Sequence, residues 1–209
     1  MKKSHKGKDL GHHWFYYAVR TILYLPFRLY YHPEILGAKY LPKEGRIVIA
    51  GNHKHALDPL LVDICTMRHV HTLAKSELFD GPAGWGFRGL KCVRVDLHAE
   101  HNPEAFAESV NYLEHDEVIN LSPEAKRNFT DEVLLPFKYG AVVMSQRTGS
   151  KIVPYSITGD YRFRSRNLRI CFGEPMDVSG MEVEEAQKTL FSRIHDLILQ
   201  NRDKVHGET

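Results

Sequence analysis

The spacing of apolar residues divides this chain into alternating strands and helices. Residues 46–50 (RIVIA) form a short β-branched run between Gly45 and Gly51, which predicts a buried strand ending in a strand-to-helix turn at Gly51-Asn52-His53. Residues 71–74, 117–121 (EVINL), 151–158 (KIVPYSIT) and 167–172 (NLRICF) read as further strands. Helical spacing marks 59–65 (PLLVDIC), with Pro59 near the start. Another helix opens at Asn102-Pro103-Glu104, Asn102 as the cap and Pro103 in the first turn, and continues through Ala105, Phe106, Val110 and Leu113. Residues 140–146 and 182–200 complete the set, the last carrying Val183, Ala186, Leu190, Phe191, Ile194, Leu197 and Ile198 on one stripe. Residues 33–45 read as a connector broken by Gly37, Pro42 and Gly45, and the glycine-containing stretch 74–96 as loop-rich. Alternating strands and helices predict an α/β layered domain.

Residues 14–31 (WFYYAVRTILYLPFRLYY) are the most apolar window, but Arg20, Pro26 and Arg28 interrupt it. A spanning helix needs about 20 mostly apolar residues without central charge. At 100° per residue, Arg20, Thr21 and Arg28 fall within an arc of about 100°, and the rest of the surface is aromatic and aliphatic. That geometry predicts a helix lying in the headgroup region, kinked or divided at Pro26. Ahead of it stand Lys2, Lys3, Lys6 and Lys8, a basic cluster suited to an anionic membrane face.

Composition narrows the partners. The net charge of +2 is too small to argue for nucleic acid, and the hydrophobic content of 43% is ordinary for a domain with a real core. Cys65, Cys92 and Cys171 are widely separated with no CxxC pair, which points to a reducing compartment rather than a disulfide framework. The apolar window lacks a small-residue cleavage site, so a cleavable signal is not expected.

The candidate chemistry centres on Asn52-His53-Lys54-His55-Ala56-Leu57-Asp58. If the chain turns after the strand, Asp58 can accept the far N–H of the His53 ring, fixing its tautomer and leaving the other nitrogen to take a proton from a hydroxyl. A rival reading takes His53, His55 and Asp58 as zinc ligands of the H-x-H-x-D-H type, but Leu57 stands where that motif has Asp and Asp58 where it has His. A second cluster, Ser122-Pro123-Glu124-Ala125-Lys126-Arg127-Asn128, follows the EVINL strand and could present Lys126 and Arg127 to a phosphate, with Glu124 orienting a substrate hydroxyl or an Arg. A third source of positive charge is Lys75, Arg88, Lys91 and Arg94 in the loop-rich stretch.

In this order the residues resemble the PlsC family of glycerolipid acyltransferases, over about residues 31–175. NHKHALD is similar to the family block N-H-x-x-x-x-D, and the segment ending Val95-Asp96 to the second block, which normally ends V-D-R. INLSPEAKRN resembles the third, F-P-E-G-T-R-S. Pro154 sits in an I-V-P turn like the fourth, and Gly173-Glu174-Pro175 matches a late G-E-P. The resemblance implies a mixed central β-sheet flanked by helices, with residues 1–31 a membrane-surface segment and 32–209 the acyltransferase domain. It implies that His53, oriented by Asp58, deprotonates the hydroxyl of a lysophospholipid such as 1-acylglycerol-3-phosphate, which then attacks an acyl thioester, acyl-CoA or acyl-carrier protein. No metal or bound cofactor is implied. Glu124 and Arg127 would bind the acceptor's glycerol phosphate, Lys75 would add a second contact, and Pro154 would shape the wall near the acyl chain. The expected location is peripheral, on the cytoplasmic face of a membrane.

This chain departs from the pattern in ways that bear on phosphate recognition. Leu97 replaces the arginine of the second block, where Arg94 is the nearest substitute, and Ser122, Ala125, Lys126 and Asn128 alter the third. An alanine at a glycine position with φ > 0 strains its turn. These changes favour acyl transfer over any one acceptor headgroup, and they leave a second reading, a catalytically weak lipid-binding protein of the same fold.

Overall fold

The computed structural model describes residues 14–206 apart from Glu100 and Arg166. The basic cluster Lys2, Lys3, Lys6 and Lys8 lies outside the described residues. Seven strands, β1 (Glu34–Leu36), β2 (Ile47–Gly51), β3 (Val70–Lys75), β4 (Val93–Val95), β5 (Val118–Leu121), β6 (Lys151–Thr158) and β7 (Arg169–Phe172), form one sheet in the order β1-β7-β6-β2-β5-β3-β4. Strands β6, β2, β5, β3 and β4 run parallel, β7 is antiparallel to β6, and β1 is parallel to β7. The sheet is therefore mixed, as the resemblance implied.

The sheet is covered on both faces, so its central strands are buried along nearly their whole length rather than at alternate residues. All five residues of β2 are buried. Val48 and Ala50 join one core with Leu113 of α5 (Pro103–Glu114), Val142 of α6 (Gly140–Thr148) and Leu190 and Ile194 of α7 (Val183–His206). Ile47 and Ile49 join the other with Phe27 of α1 (Trp14–Tyr31) and Leu61 and Val62 of α2 (Asp58–Asp63). The alternation along one strand thus separates two helix layers.

The stretches expected to be irregular contain short elements. Residues 33–45 carry β1 and a 3-10 turn, Ala38–Tyr40. The glycine-rich segment holds α3 (Ser76–Asp80), α4 (Gly84–Gly89) and β4. Gly84 serves packing: a Cβ there would lie 1.9 Å from the Phe79 carbonyl oxygen.

Helix α1 runs unbroken through Pro26, which sits on its exposed side and removes one internal N–H bond. Its orientation departs from a simple polar-out arrangement. Arg20 is buried: Nε donates to the Asp63 carbonyl at 3.2 Å and a terminal nitrogen to the Thr66 carbonyl at 2.7 Å. The guanidinium thus satisfies carbonyls at and just beyond the C-terminus of α2, where positive charge is favoured. Tyr16 stacks on His69 with centroids 4.0 Å apart, and Phe27 enters the core. Tyr16, Arg20 and Phe27 lie within about 40° on the wheel, while Trp14, Ala18, Ile22, Leu25 and Leu29 span an arc of about 80° centred on the opposite side. Of these, Trp14, Ile22, Leu25 and Leu29 are exposed.

Two features of the fold generate measurable outcomes. Ala125, in the turn after β5, adopts φ +58°, so the alanine does sit in the left-handed region. We expect Ala125→Gly to stabilise the protein by about 1 kcal/mol, a rise of roughly 2–4 °C in Tm by calorimetry; a fall would show the turn unstrained. Burial pushes the Asp63 carboxyl up to about 8, the Arg20 guanidinium opposing, and its Oδ1 has no hydrogen-bond partner. A carboxyl raised on folding keeps its proton after the unfolded chain, with a pKa near ~4, has released it. Its contribution is full below about pH 4 and drains as pH rises towards 8. Asp63→Asn is expected to flatten the decline of Tm across that window, and a decline as steep as wild type would contradict it.

Candidate active site

The site forms at the carboxyl ends of β2, β5 and β6, where parallel sheets leave room for loops. Strand β2 must pass close under Tyr155 of β6: a Cβ on Gly51 would stand 2.4 Å from the tyrosine ring. Beyond it, Asn52 is buried and fastens the strand exit to β6, its amide donating to the Ile157 carbonyl at 2.9 Å and its oxygen accepting the Ile157 N–H at 2.7 Å. His53 follows at the rim, its ring about a quarter exposed.

Residues 54–57 turn the chain so that Asp58 at the start of α2 faces back towards His53. The Asp58 carboxylate is 2% exposed and meets four donors. Its Oδ2 accepts His53 Nδ1 at 2.9 Å and the main-chain N–H groups of Lys54 and His55 at 2.8 Å each. Its Oδ1 accepts the Tyr161 hydroxyl at 2.7 Å. An oxygen already taking two main-chain donors can only accept, so His53 holds its hydrogen on Nδ1 and presents Nε2 as a lone pair. Among the described residues Nε2 has no hydrogen-bond partner, and the ring borders a cleft of about 170 Å³.

Glu124 lies 4% exposed beneath the same turn. Oε1 accepts the His53 N–H at 3.0 Å and Oε2 the Leu135 N–H at 2.8 Å. Burial pushes its carboxyl up, and those two main-chain bonds pull it down. It borders the cleft, yet both oxygens are engaged in holding the His53 backbone to the 124–135 loop. The Asn128 N–H adds a third tie, to the His53 carbonyl at 3.0 Å.

The other expected residues are placed elsewhere. Lys75 pairs with Glu77 at 2.8 Å, and Arg94 with Asp80 at 2.6 Å while covering the Phe79 ring. Arg88 donates to the Phe79 carbonyl at 2.7 Å. Lys126 is exposed, and Arg127 lies over the exposed Phe129 ring at 5.1 Å. Pro154 is buried in β6 opposite Ala50, and its carbonyl accepts the Gly173 N–H at 2.8 Å. None of these six borders the cleft.

Four residues that sequence spacing did not single out belong to the site. Tyr161 lies 103 positions from the carboxylate it holds, and no local pattern announces it. Lys54, Thr130 and Arg202 line the cleft. The zinc reading needs His55 to turn towards His53 and Asp58. Instead its ring stacks on Tyr161 with centroids 4.3 Å apart and its Nδ1 accepts the Leu57 N–H at 3.2 Å. Among the described residues no three His, Cys, Asp or Glu side chains converge.

A buried carboxylate orienting a histidine whose free nitrogen opens on a cleft is the arrangement of a general base for a hydroxyl. Residues 32–158, well over half the chain, match the family model described as Acyltransferase; Gly173-Glu174-Pro175 falls outside the matched span. A 1-acyl-sn-glycerol-3-phosphate acyltransferase of Borreliella burgdorferi is 25% identical over 142 residues, which is 64% of this chain and 54% of that protein. The chain thus spans about half the length of that curated relative. The crystal structure of the 1-acyl-sn-glycerophosphate (LPA) acyltransferase PlsC from Thermotoga maritima shares the fold, with a TM-score of 0.70 at 21% identity over 90% of this chain and 83% of that one. The chain belongs to the acyltransferase family.

Proposed function

We propose that this protein transfers a fatty acyl group from an acyl thioester, acyl-CoA or acyl-carrier protein, to the hydroxyl of a lysophospholipid such as 1-acylglycerol-3-phosphate. In this reading His53 Nε2 takes the proton of the acceptor hydroxyl as the oxygen attacks the thioester carbonyl. Asp58 holds the ring and stabilises the imidazolium. The tetrahedral intermediate collapses with expulsion of the thiolate, and the imidazolium returns its proton to that sulfur, giving ester and free thiol. The observation that carries the reading is the Asp58 carboxylate, buried and saturated by donors, one of them His53 Nδ1. The acceptor class is supported by the named activities of the Borreliella and Thermotoga proteins.

We further propose that the reaction occurs at a membrane surface, peripherally and on the cytoplasmic face. No helix among the described residues is long and apolar enough to cross a membrane. Helix α1 instead anchors by Tyr16, Arg20 and Phe27 and turns Trp14, Ile22, Leu25 and Leu29 outward. An outward apolar stripe opposite a buried anchoring face suits a helix lying in the headgroup region.

His53→Ala is expected to lower kcat for thiol release from acyl-CoA with a lysophospholipid by about a thousandfold or more, with a cooperative melting transition retained. Turnover at the wild-type rate would reject the base. For the membrane contact, Ile22→Glu combined with Leu25→Glu should cut partition onto anionic liposomes more than roughly tenfold, since each buried aliphatic side chain contributes about 1.5–3 kcal/mol. Equal sedimentation with vesicles would reject α1 as the contact.

A further inference from the structure

The cleft beside His53 presents two cations that no sequence motif assigned a role. Lys54 follows His53 directly, and Arg202 reaches the same cleft from the last turns of α7. We propose that Lys54 and Arg202 form a phosphate subsite of this cleft, one that takes the phosphate monoester of a substrate. The proposal rests on the acyl-transfer reading above.

The cations expected to hold phosphate do not reach this space. Lys75 and Arg94 are paired with Glu77 and Asp80, and Lys126 and Arg127 are exposed and do not line the cleft. Lys54 and Arg202 are the Lys and Arg residues among those lining the cleft.

Energetics agree with an anion between them. Lys54 is half-buried, and its ammonium donates to the Gly159 carbonyl. Burial pulls its pKa down, the Arg202 charge pulls it further, and Asp160 and Asp58 oppose. An ammonium with part of its hydration removed gains from an anion beside it, and a phosphate offers oxygens to both cations that line the cleft. The wall alongside is already ordered: Asn128 Oδ1 accepts Thr130 N–H at 2.9 Å and Thr130 hydroxyl at 2.8 Å, while its amide donates to the Glu132 carbonyl at 2.9 Å. Glu124 spends both oxygens on main-chain donors, leaving Glu132 as the opposing acid on the wall.

Two sources could supply the phosphate. In a 1-acylglycerol-3-phosphate acceptor the phosphate is borne on the carbon next to the one carrying the attacking hydroxyl. In an acyl-CoA donor it is the ribose phosphate, beyond the far end of the pantetheine arm. Adjacency of Lys54 to His53 favours the acceptor.

The test uses the full chain as wild type, Lys54→Gln and Arg202→Gln, melted with sn-glycerol 3-phosphate, adenosine 3′,5′-bisphosphate or glycerol. We expect sn-glycerol 3-phosphate to raise the wild-type Tm and both variants to lose that protection. The KM for 1-acylglycerol-3-phosphate should then rise roughly tenfold or more, with the KM for acyl-CoA unchanged. If the lost protection is instead that of adenosine 3′,5′-bisphosphate, the subsite stands and serves the donor. Equal protection of variants and wild type, or no protection of wild type by either phosphate, overturns it. Arg202 is exposed, so its variant tests the subsite even if Lys54→Gln fails to fold. Melting needs no turnover: binding through these residues without acyl transfer would reject the reaction and keep the subsite, and transfer with an unchanged KM would do the reverse.

Discussion

The site hangs on one carboxylate. Asp58 is removed from water, and a buried carboxylate is tolerated only where donors replace the lost hydration. Two of its four donors are main-chain N–H groups from the turn it closes, so the side chain shapes the backbone that presents His53. A third is the imidazole and the fourth a tyrosine from beyond β6. Loop geometry, imidazole orientation and the approach of a distant segment are thus parts of a single solvation problem.

Around that centre the protein uses other buried polar groups as cross-braces. Asn52 ties the exit of β2 to β6 through two bonds, and Glu124 ties the backbone of His53 to Leu135. A base that must accept a proton in a defined direction needs its main chain fixed as well as its ring. Fixing the His53 ring and main chain thus falls to Asp58, Glu124 and Asn128, while the ring itself borders the cleft.

Much of this architecture can be read from the chain itself. β2, β5 and β6 are short, mostly apolar runs buried along nearly their whole length, because two helix layers cover the sheet, and such runs stand out. β1 is three residues at a sheet edge and leaves little pattern. α3 and α4 were obscured by glycines that read as loop, one of which, Gly84, is needed for close approach to Phe79. The proximity of His53 and Asp58 is a local matter of five residues and is legible from spacing; Tyr161 and Arg202 come from remote segments and are not. Glu124 shows a subtler gap. Its residue type suggested substrate contact, whereas its burial commits both oxygens to the backbone. Helix α1 was recognisable from its period, but an arginine in an apolar window does not say which side faces the protein, since that depends on carbonyls 43 and 46 residues away.

Tyr161 belongs to two neighbourhoods at once. Its hydroxyl serves Asp58, while its ring lies edge-on to Phe27 and Tyr31 of α1, at 6.4 and 5.6 Å between centroids, and flat on His55. The N-terminal helix is consequently part of the masonry behind the reacting groups and not a detachable tether. Trimming it away to obtain a better-behaved sample would open the back wall of the reaction centre to solvent, so a truncated protein's sluggishness could not be read as lost lipid contact alone.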